Sequence, residues 1–230
     1  MLKIEFEGTD GAGKTTAMKY FITQAKAQGL SIVETREVGN PNVPSCVRLR
    51  ELVLNPESNL SGEAMEMIFC AMRFENDKWL KELSDSKDSP DFVVSDRGYF
   101  SHLAYTDHNV SKDFTEDLYT NFIENATSMP NIVIYFEVDT ETALKRRVSR
   151  GTSDVIEAKG VEFQELVRDS FVTHLNQKAS NFSHIRLFRV DANKSIENVQ
   201  WELDVILATI QAENKKAPVE KLYGGLLNSN

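Results

Sequence analysis

The string Gly8-Thr9-Asp10-Gly11-Ala12-Gly13-Lys14-Thr15 constrains this chain more than any other feature. It fits G-x-x-x-x-G-K-[ST] without a gap. The run from Leu2 to Gly8 reads as a strand, and Gly13 to Gln28 reads as a helix stopped by Gly29, so the motif lies where a strand turns into a helix. Glycines at 8, 11 and 13 permit tight φ/ψ values and let backbone N–H groups approach phosphate oxygens. The helix N-terminus adds its positive dipole end. Ala12 and Thr16 extend the cradle, Lys14 reaches the terminal phosphates, and the Thr15 hydroxyl suits Mg²⁺. A chance Gly-rich turn is the competing reading, and the strand–turn–helix setting argues against it. The motif predicts nucleotide binding and is silent about the use made of the nucleotide.

Short apolar runs alternate with amphipathic ones along the chain. Residues 2–8, 31–35, 92–95, 131–138 and 185–190 read as strands. Helical patterns cover 13–28, 45–54, 61–83, 99–106, 113–127, 139–150, 161–180 and 195–212. Alternation of this kind predicts an α/β fold, a five-stranded parallel sheet with helices on both faces. No linker divides the chain. One kinase-type domain over 1–212 is expected, with a short lid about 150–158 and a tail, 213–230, carrying Pro218 and Gly224-Gly225.

The balance of 26 basic against 35 acidic residues, net −9, argues against binding a nucleic-acid backbone. No apolar run approaches the roughly 20 residues that span a bilayer. The N-terminus lacks the pattern of a secretory signal. Cys46 and Cys70 cannot build a disulfide framework and read as buried thiols of a reducing compartment, the cytoplasm.

Three users of a phosphate loop differ elsewhere in sequence. A GTPase switch needs Asn-Lys-x-Asp, but Asn193-Lys194-Ser195-Ile196 lacks the Asp and reads as a helix cap. A motor-type ATPase needs an apolar strand ending in Asp-Glu, whereas Asp96 is followed by Arg97. A small-molecule kinase needs arginines for two phosphate groups, and this chain has them. Asp96 falls at the carboxyl edge of the sheet, where it can orient Mg²⁺ or its waters, while Arg97 binds phosphate bidentately. A structural Asp–Arg pair is the alternative. Ser101 and Tyr105 share a helix face with Arg97.

At these residues the chain resembles the thymidylate kinase family of P-loop nucleoside monophosphate kinases. FEGTDGAGKTT (6–16) is similar to the family's opening, and Thr35-Arg36-Glu37 to its Thr-Arg-Glu-Pro-Gly-Gly segment. Arg50-Glu51-Leu52, Phe69 with Arg73, Asp96-Arg97 with Ser101, Ala104 and Tyr105, and Arg146, Arg150-Gly151 and Asp154-x-Ile156-Glu157 come in family order. The likeness runs from about residue 2 to 190. It implies transfer of the ATP γ-phosphoryl group to dTMP with Mg²⁺, and a homodimer. Phe69 would stack on thymine, and Arg73 would reach its edge or the phosphate side. Core packing and an i,i+4 pair with Asp77 are the competing readings. Tyr105 would lie against the sugar, Asp10 near the acceptor end of dTMP or the metal, and Arg36 at its phosphate. Arg50 would line that phosphate site or form a surface salt bridge.

Val38, Asn40, Thr106 and Val155 depart from the family pattern. His102 falls where the family often places a residue near the base, but reads first as a helix-surface histidine, with the base neighbour as the alternative. Because the phosphate loop holds no arginine and Val155 replaces a lid arginine, catalytic charge is expected from Arg150, supported by Arg146, or by Arg147 or Lys159 instead. The rivals are a deoxynucleoside kinase, a monophosphate kinase of other base preference, and a non-catalytic nucleotide-binding module.

Overall fold

The central strand is the first one made. In the computed structural model, which describes residues 1–114, 129–150, 160–181 and 184–223, β1 (Leu2–Glu7) is flanked by β3 (Phe92–Asp96) and β4 (Ile132–Glu137). β2 (Ile32–Arg36) and β5 (Arg186–Asp191) form the edges, giving the all-parallel order β2-β3-β1-β4-β5. Every crossover carries helix: α1 (Lys14–Ala27), α2 (Pro44–Leu54) and α3 (Gly62–Asp85), α4 (Tyr99–Thr106), α5 (Thr140–Arg150), α6 (Gly160–Asn181) and α7 (Ile196–Tyr223). The expected α/β class and strand count hold. α7 continues past residue 212, with Pro218 inside it, where the sequence pattern places the start of the tail. Residues 151–159, which include most of the lid expected at about 150–158, most of the helix expected at 113–127, and 224–230 lie outside the described residues.

Ile4 and Phe6 of β1 meet Phe21 of α1, Phe136 of β4 and Leu203 and Leu207 of α7 in one core layer. On the other face Tyr99, Phe100 and Leu103 of α4 pack with Val133, Tyr135, Val167 and Phe171. Each large apolar side chain buried in this way contributes about 1.5–3 kcal/mol. β1 alternates apolar and charged residues, a pattern that on an antiparallel sheet marks a solvated face. Here Lys3, Glu5 and Glu7 are buried, because helices cover both faces of a parallel sheet. A third cluster, with Cys46, Val53, Phe69 and Met72, joins α2 to α3.

Register places the site. Phe6 pairs with Asp96 on one side and Ile134 on the other, so the loops leaving β1 and β3 emerge side by side. The Arg97 amide donates to the Phe6 carbonyl at 3.0 Å and locks the two exits together.

Candidate active site

The loop after β1 has the geometry its glycines predict. Gly8, Gly11 and Gly13 take φ of 141°, 88° and 84°, and Gly13 is the left-handed N-cap of α1. A β-carbon on Gly11 would collide with the Ala143 backbone, so close approach as well as conformation requires glycine there. Lys14 is buried and its Nζ donates to the Thr9 carbonyl at 2.9 Å. Burial and then repulsion from Arg97 push its pKa down to about 8, against the attraction of Asp10, Asp96 and Glu7.

Two cavities open on this loop. The first, about 600 Å³, is walled by Gly11 to Ala17, Arg146 of α5, and Ala192, Lys194, Ile196, Val199 and Gln200 from the β5–α7 region. The second, about 360 Å³, is walled by Arg36, Arg50, Val53, Phe69, Ser101, His102, Tyr105 and Thr106 among others. Both volumes suit a nucleotide-sized ligand. Asp10, Thr15, Asp96 and Arg97 line both cavities and form the wall where they meet.

That shared wall is tightly bonded. Thr15 Oγ1 donates to Asp96 Oδ2 at 2.8 Å. Arg97, at φ 69°, donates to the Gly8 carbonyl at 3.0 Å, to Ser101 Oγ at 3.1 Å, to the Tyr105 hydroxyl at 3.2 Å, and to Asp10 through an ion pair. The Tyr105 hydroxyl donates to Asp10 Oδ2 at 2.8 Å, and its ring lies 5.1 Å from the guanidinium. Burial pushes the Asp10 carboxyl up, but Arg97, Lys14 and the tyrosine bond outweigh it and hold it below the usual carboxylate range. The site therefore carries a fixed anion against two cations.

Most of the residues predicted from sequence converge here. Thr16 and Arg146 line the donor cavity, and Arg146 Nη2 is anchored on the Ala192 carbonyl at 2.9 Å. Arg36 and Arg50 face the acceptor cavity, tied to the Gly39 carbonyl at 3.0 Å and the Val38 carbonyl at 2.6 Å. Phe69 lines it with its ring edge-on to His102, the centroids 6.3 Å apart.

Three placements depart from expectation. Gly8 does not reach the donor cavity wall. It sits behind the loop, where a β-carbon would come 2.7 Å from the Phe136 carbonyl oxygen. Arg73 does not line the acceptor cavity either. It is buried beneath it, its guanidinium 2.8 Å from Glu37 Oε2, which lines the cavity, and over the Tyr99 ring. His102 is not a helix-surface residue: it is 7 % exposed and faces the cavity 3.5 Å from Glu66 Oε2. Burial, then the nearby Arg73, push its pKa down to about 3, so it is neutral. The Arg150 side chain lies outside the described residues.

Some contributors escape sequence reasoning. Glu66, fully buried on α3, accepts from Thr106 Oγ1 at 2.8 Å and Asn109 Nδ2 at 3.1 Å, and lines the second cavity with Thr106 and Asn109. Gln164 of α6 reaches Asp10 Oδ2 at 3.5 Å. Lys194 joins the donor wall, while Ser195 beside it caps α7 as expected. No spacing rule links these positions to the phosphate loop.

A parallel sheet, a phosphate loop on its central strand, and two nucleotide-sized cavities sharing a charged wall define a P-loop phosphotransferase with separate donor and acceptor sites. Residues 6–203 match the family model described as Thymidylate kinase. The thymidylate kinase of Exiguobacterium sp. AT1b is 30% identical over 210 residues, covering 90% of this chain and 95% of that one. That of Carboxydothermus hydrogenoformans is 30% identical over 205 residues, covering 87% and 93%, and that of Bacillus licheniformis 28% over 217 residues, covering 93% and 98%. The chain belongs to the thymidylate kinase family.

Proposed function

We propose that the protein transfers the γ-phosphoryl group of ATP to dTMP, giving dTDP and ADP. The observation that carries this reading is the wall of Asp10, Thr15, Asp96 and Arg97 common to both cavities. It lets one arginine and one loop face donor and acceptor phosphates together, which is what in-line transfer requires. The acceptor is a phosphate oxygen already anionic at neutral pH, so no general base is needed. Arg97 and Lys14 neutralise charge at the transferring group, while Arg36 and Arg50 hold the acceptor phosphate.

The Thr15 hydroxyl and Asp96 carboxylate converge within 2.8 Å, a pair of oxygens fit for Mg²⁺ that keeps waters and takes substrate phosphates as its other ligands. When bound, Mg²⁺ supplies neutralisation of the phosphate charge.

Phe69 stacks on the base in this reading, Tyr105 excludes a ribose 2′-hydroxyl, and neutral His102 with Thr106 faces the base edge. Arg150 brings positive charge from the lid about 150–158. Free, buried Cys46 and Cys70 support a cytoplasmic setting, and none of the described helices is long and apolar enough to cross a membrane. A homodimer is supported by exposed Met67 and Phe74 on α3 with Leu52 on α2. The test is coupled-assay turnover over a panel of nucleosides and nucleoside monophosphates. dTMP is expected to lead in kcat/KM. Faster turnover of thymidine, or equal kcat/KM for dTMP and dGMP, overturns the assignment.

A further inference from the structure

The buried face of β1 carries charges that phosphoryl transfer does not use directly. Lys3 and Glu5 belong to a balanced cluster: Lys3 pairs with Glu5 at 2.8 Å and Glu37 at 3.0 Å, and Glu37 with Arg73 at 2.8 Å. Glu5 also accepts the Tyr99 amide at 3.0 Å. Glu7, fully buried, is arranged differently, with both oxygens committed to one residue. Oε1 accepts the Ser101 amide at 3.0 Å, and Oε2 accepts the Ser101 hydroxyl. Ser101 Oγ in turn accepts Arg97 Nη1 at 3.1 Å.

We propose that Glu7 is a positioning residue for Arg97, acting through Ser101. An ionised carboxylate only accepts, a serine hydroxyl has one proton and two lone pairs, and a guanidinium only donates. With its proton held by Glu7, Ser101 Oγ presents lone pairs to Arg97 alone. Placing a donor on Glu7, by protonation or as glutamine, inverts the serine: it must accept from Glu7 and turn its proton elsewhere. Ser101 Oγ then divides its two lone pairs between Glu7 and Arg97, its proton is no longer drawn away from the guanidinium, and the bond that helps fix Arg97 at the wall between the cavities is weakened. A carboxylate that merely capped α4 would need only the Ser101 amide, and the hydroxyl bond would have no consequence for Arg97.

The same arrangement makes the relay titratable. Burial pushes the Glu7 carboxyl up, as does Glu5, against the two Ser101 bonds and Arg97, to about 7. The other groups facing it are Lys14 from α1 and Tyr135 from β4. Because the pKa is raised, Glu7 holds its proton below about 7 and the relay is complete above it. Turnover that depends on Arg97 therefore rises as pH rises through that value.

The inference rests on the dTMP kinase reading, and the experiment separates the two. Steady-state kcat and KM for dTMP and ATP are measured on both sides of pH 7 for the wild type, Glu7→Gln, Ser101→Ala and the double variant, each checked for folding by circular dichroism. Ionisation of the substrate phosphate is common to all four. Glu7→Gln is expected to lower kcat about 10- to 100-fold, the scale found for partners that orient a functional group, with KM little changed. It also loses the rise through pH 7. Ser101→Ala shows the same loss, and adding Glu7→Gln to it costs little more. Wild-type kcat in Glu7→Gln, or an equal loss with and without Ser101, overturns the inference while leaving the kinase reading in place. If Glu7→Gln does not fold, Ser101→Ala alone decides: a pH rise equal to the wild type's overturns the relay. A wild type that does not turn over dTMP sinks both readings.

Discussion

The donor and acceptor cavities are built on opposite plans. The donor side takes much of its wall from one unbroken string, Asp10 to Ala17, whose working groups are backbone N–H and a single lysine. The acceptor side gathers side chains from the loop after β2, from α2, α3 and α4, and from the end of β3. A site made of backbone needs only local conformation, which glycines at fixed positions specify. A site made of side chains needs correct tertiary placement of every helix around it, and here that placement is secured by buried charges. Damage should therefore stay local on the donor side and spread on the acceptor side.

The widest expected separation comes from the lid. Arg150→Ala is predicted to lower kcat by about 10³–10⁵, the range for arginines that act in the transition state, while KM for ATP changes little. An effect confined to KM shows that lid charge comes from Arg147 or Lys159. Lys14→Ala should lower kcat by about 10³, at the upper end for loss of a single preorganised charge-stabilising group. Calorimetric titration should still show wild-type dTMP affinity, because the acceptor wall is intact. Weakened dTMP binding in this variant would break the division between the two sides.

On the acceptor side Arg73→Met removes one of the two cations paired with buried Glu37, leaving Lys3 and Asn76 to hold it. A loss of about 3 kcal/mol in denaturant unfolding, the low end for breaking a buried pair, is expected, together with a raised KM for dTMP as the Glu37 loop shifts. Unchanged stability would show that its existing partners Lys3 and Asn76 suffice to hold Glu37. The smallest effect falls on the sugar. Tyr105→Ala should reduce the preference for dTMP over its ribonucleotide by about tenfold, the equivalent of roughly 1.4 kcal/mol. Retention of full preference would place the ribose elsewhere.

The same contrast decides what is legible in the sequence. The phosphate loop, the Asp96-Arg97 step and the five strands are readable because each is a contiguous pattern with its own conformational reason. Arg73 is misplaced by a sound local argument: one helical turn from Phe69, it should share that residue's face. The competing influence is Glu37, a carboxylate more than thirty positions away, which draws the guanidinium under the cavity. His102 reads as a surface residue before a base neighbour because helix periodicity alone does not tell which side of α4 meets α3. Glu66 passes as an ordinary helix acid for the same reason. Lys194 reads as part of a guanine motif it does not complete, and only the strand order brings it beside the phosphate loop.

The position of β1 at the middle of the sheet bears on how the chain is made. β1 pairs with β3 and β4, and β2 pairs only with β3, so no two strands can join until residue 92 and its neighbours have been synthesised. Until then the apolar face of α1, with Phe21 and Ile22, has no sheet to cover. A ribosome that has finished the phosphate loop has thus produced a string of glycines without the scaffold that bends it. Asp96, the partner of Thr15, arrives with the same strand that allows the first pairing. Sheet formation and the Thr15–Asp96 contact should therefore appear together during translation, while the donor cavity waits for Arg146 and the residues after β5, with the earlier portion dependent on the exit tunnel or a chaperone for shelter.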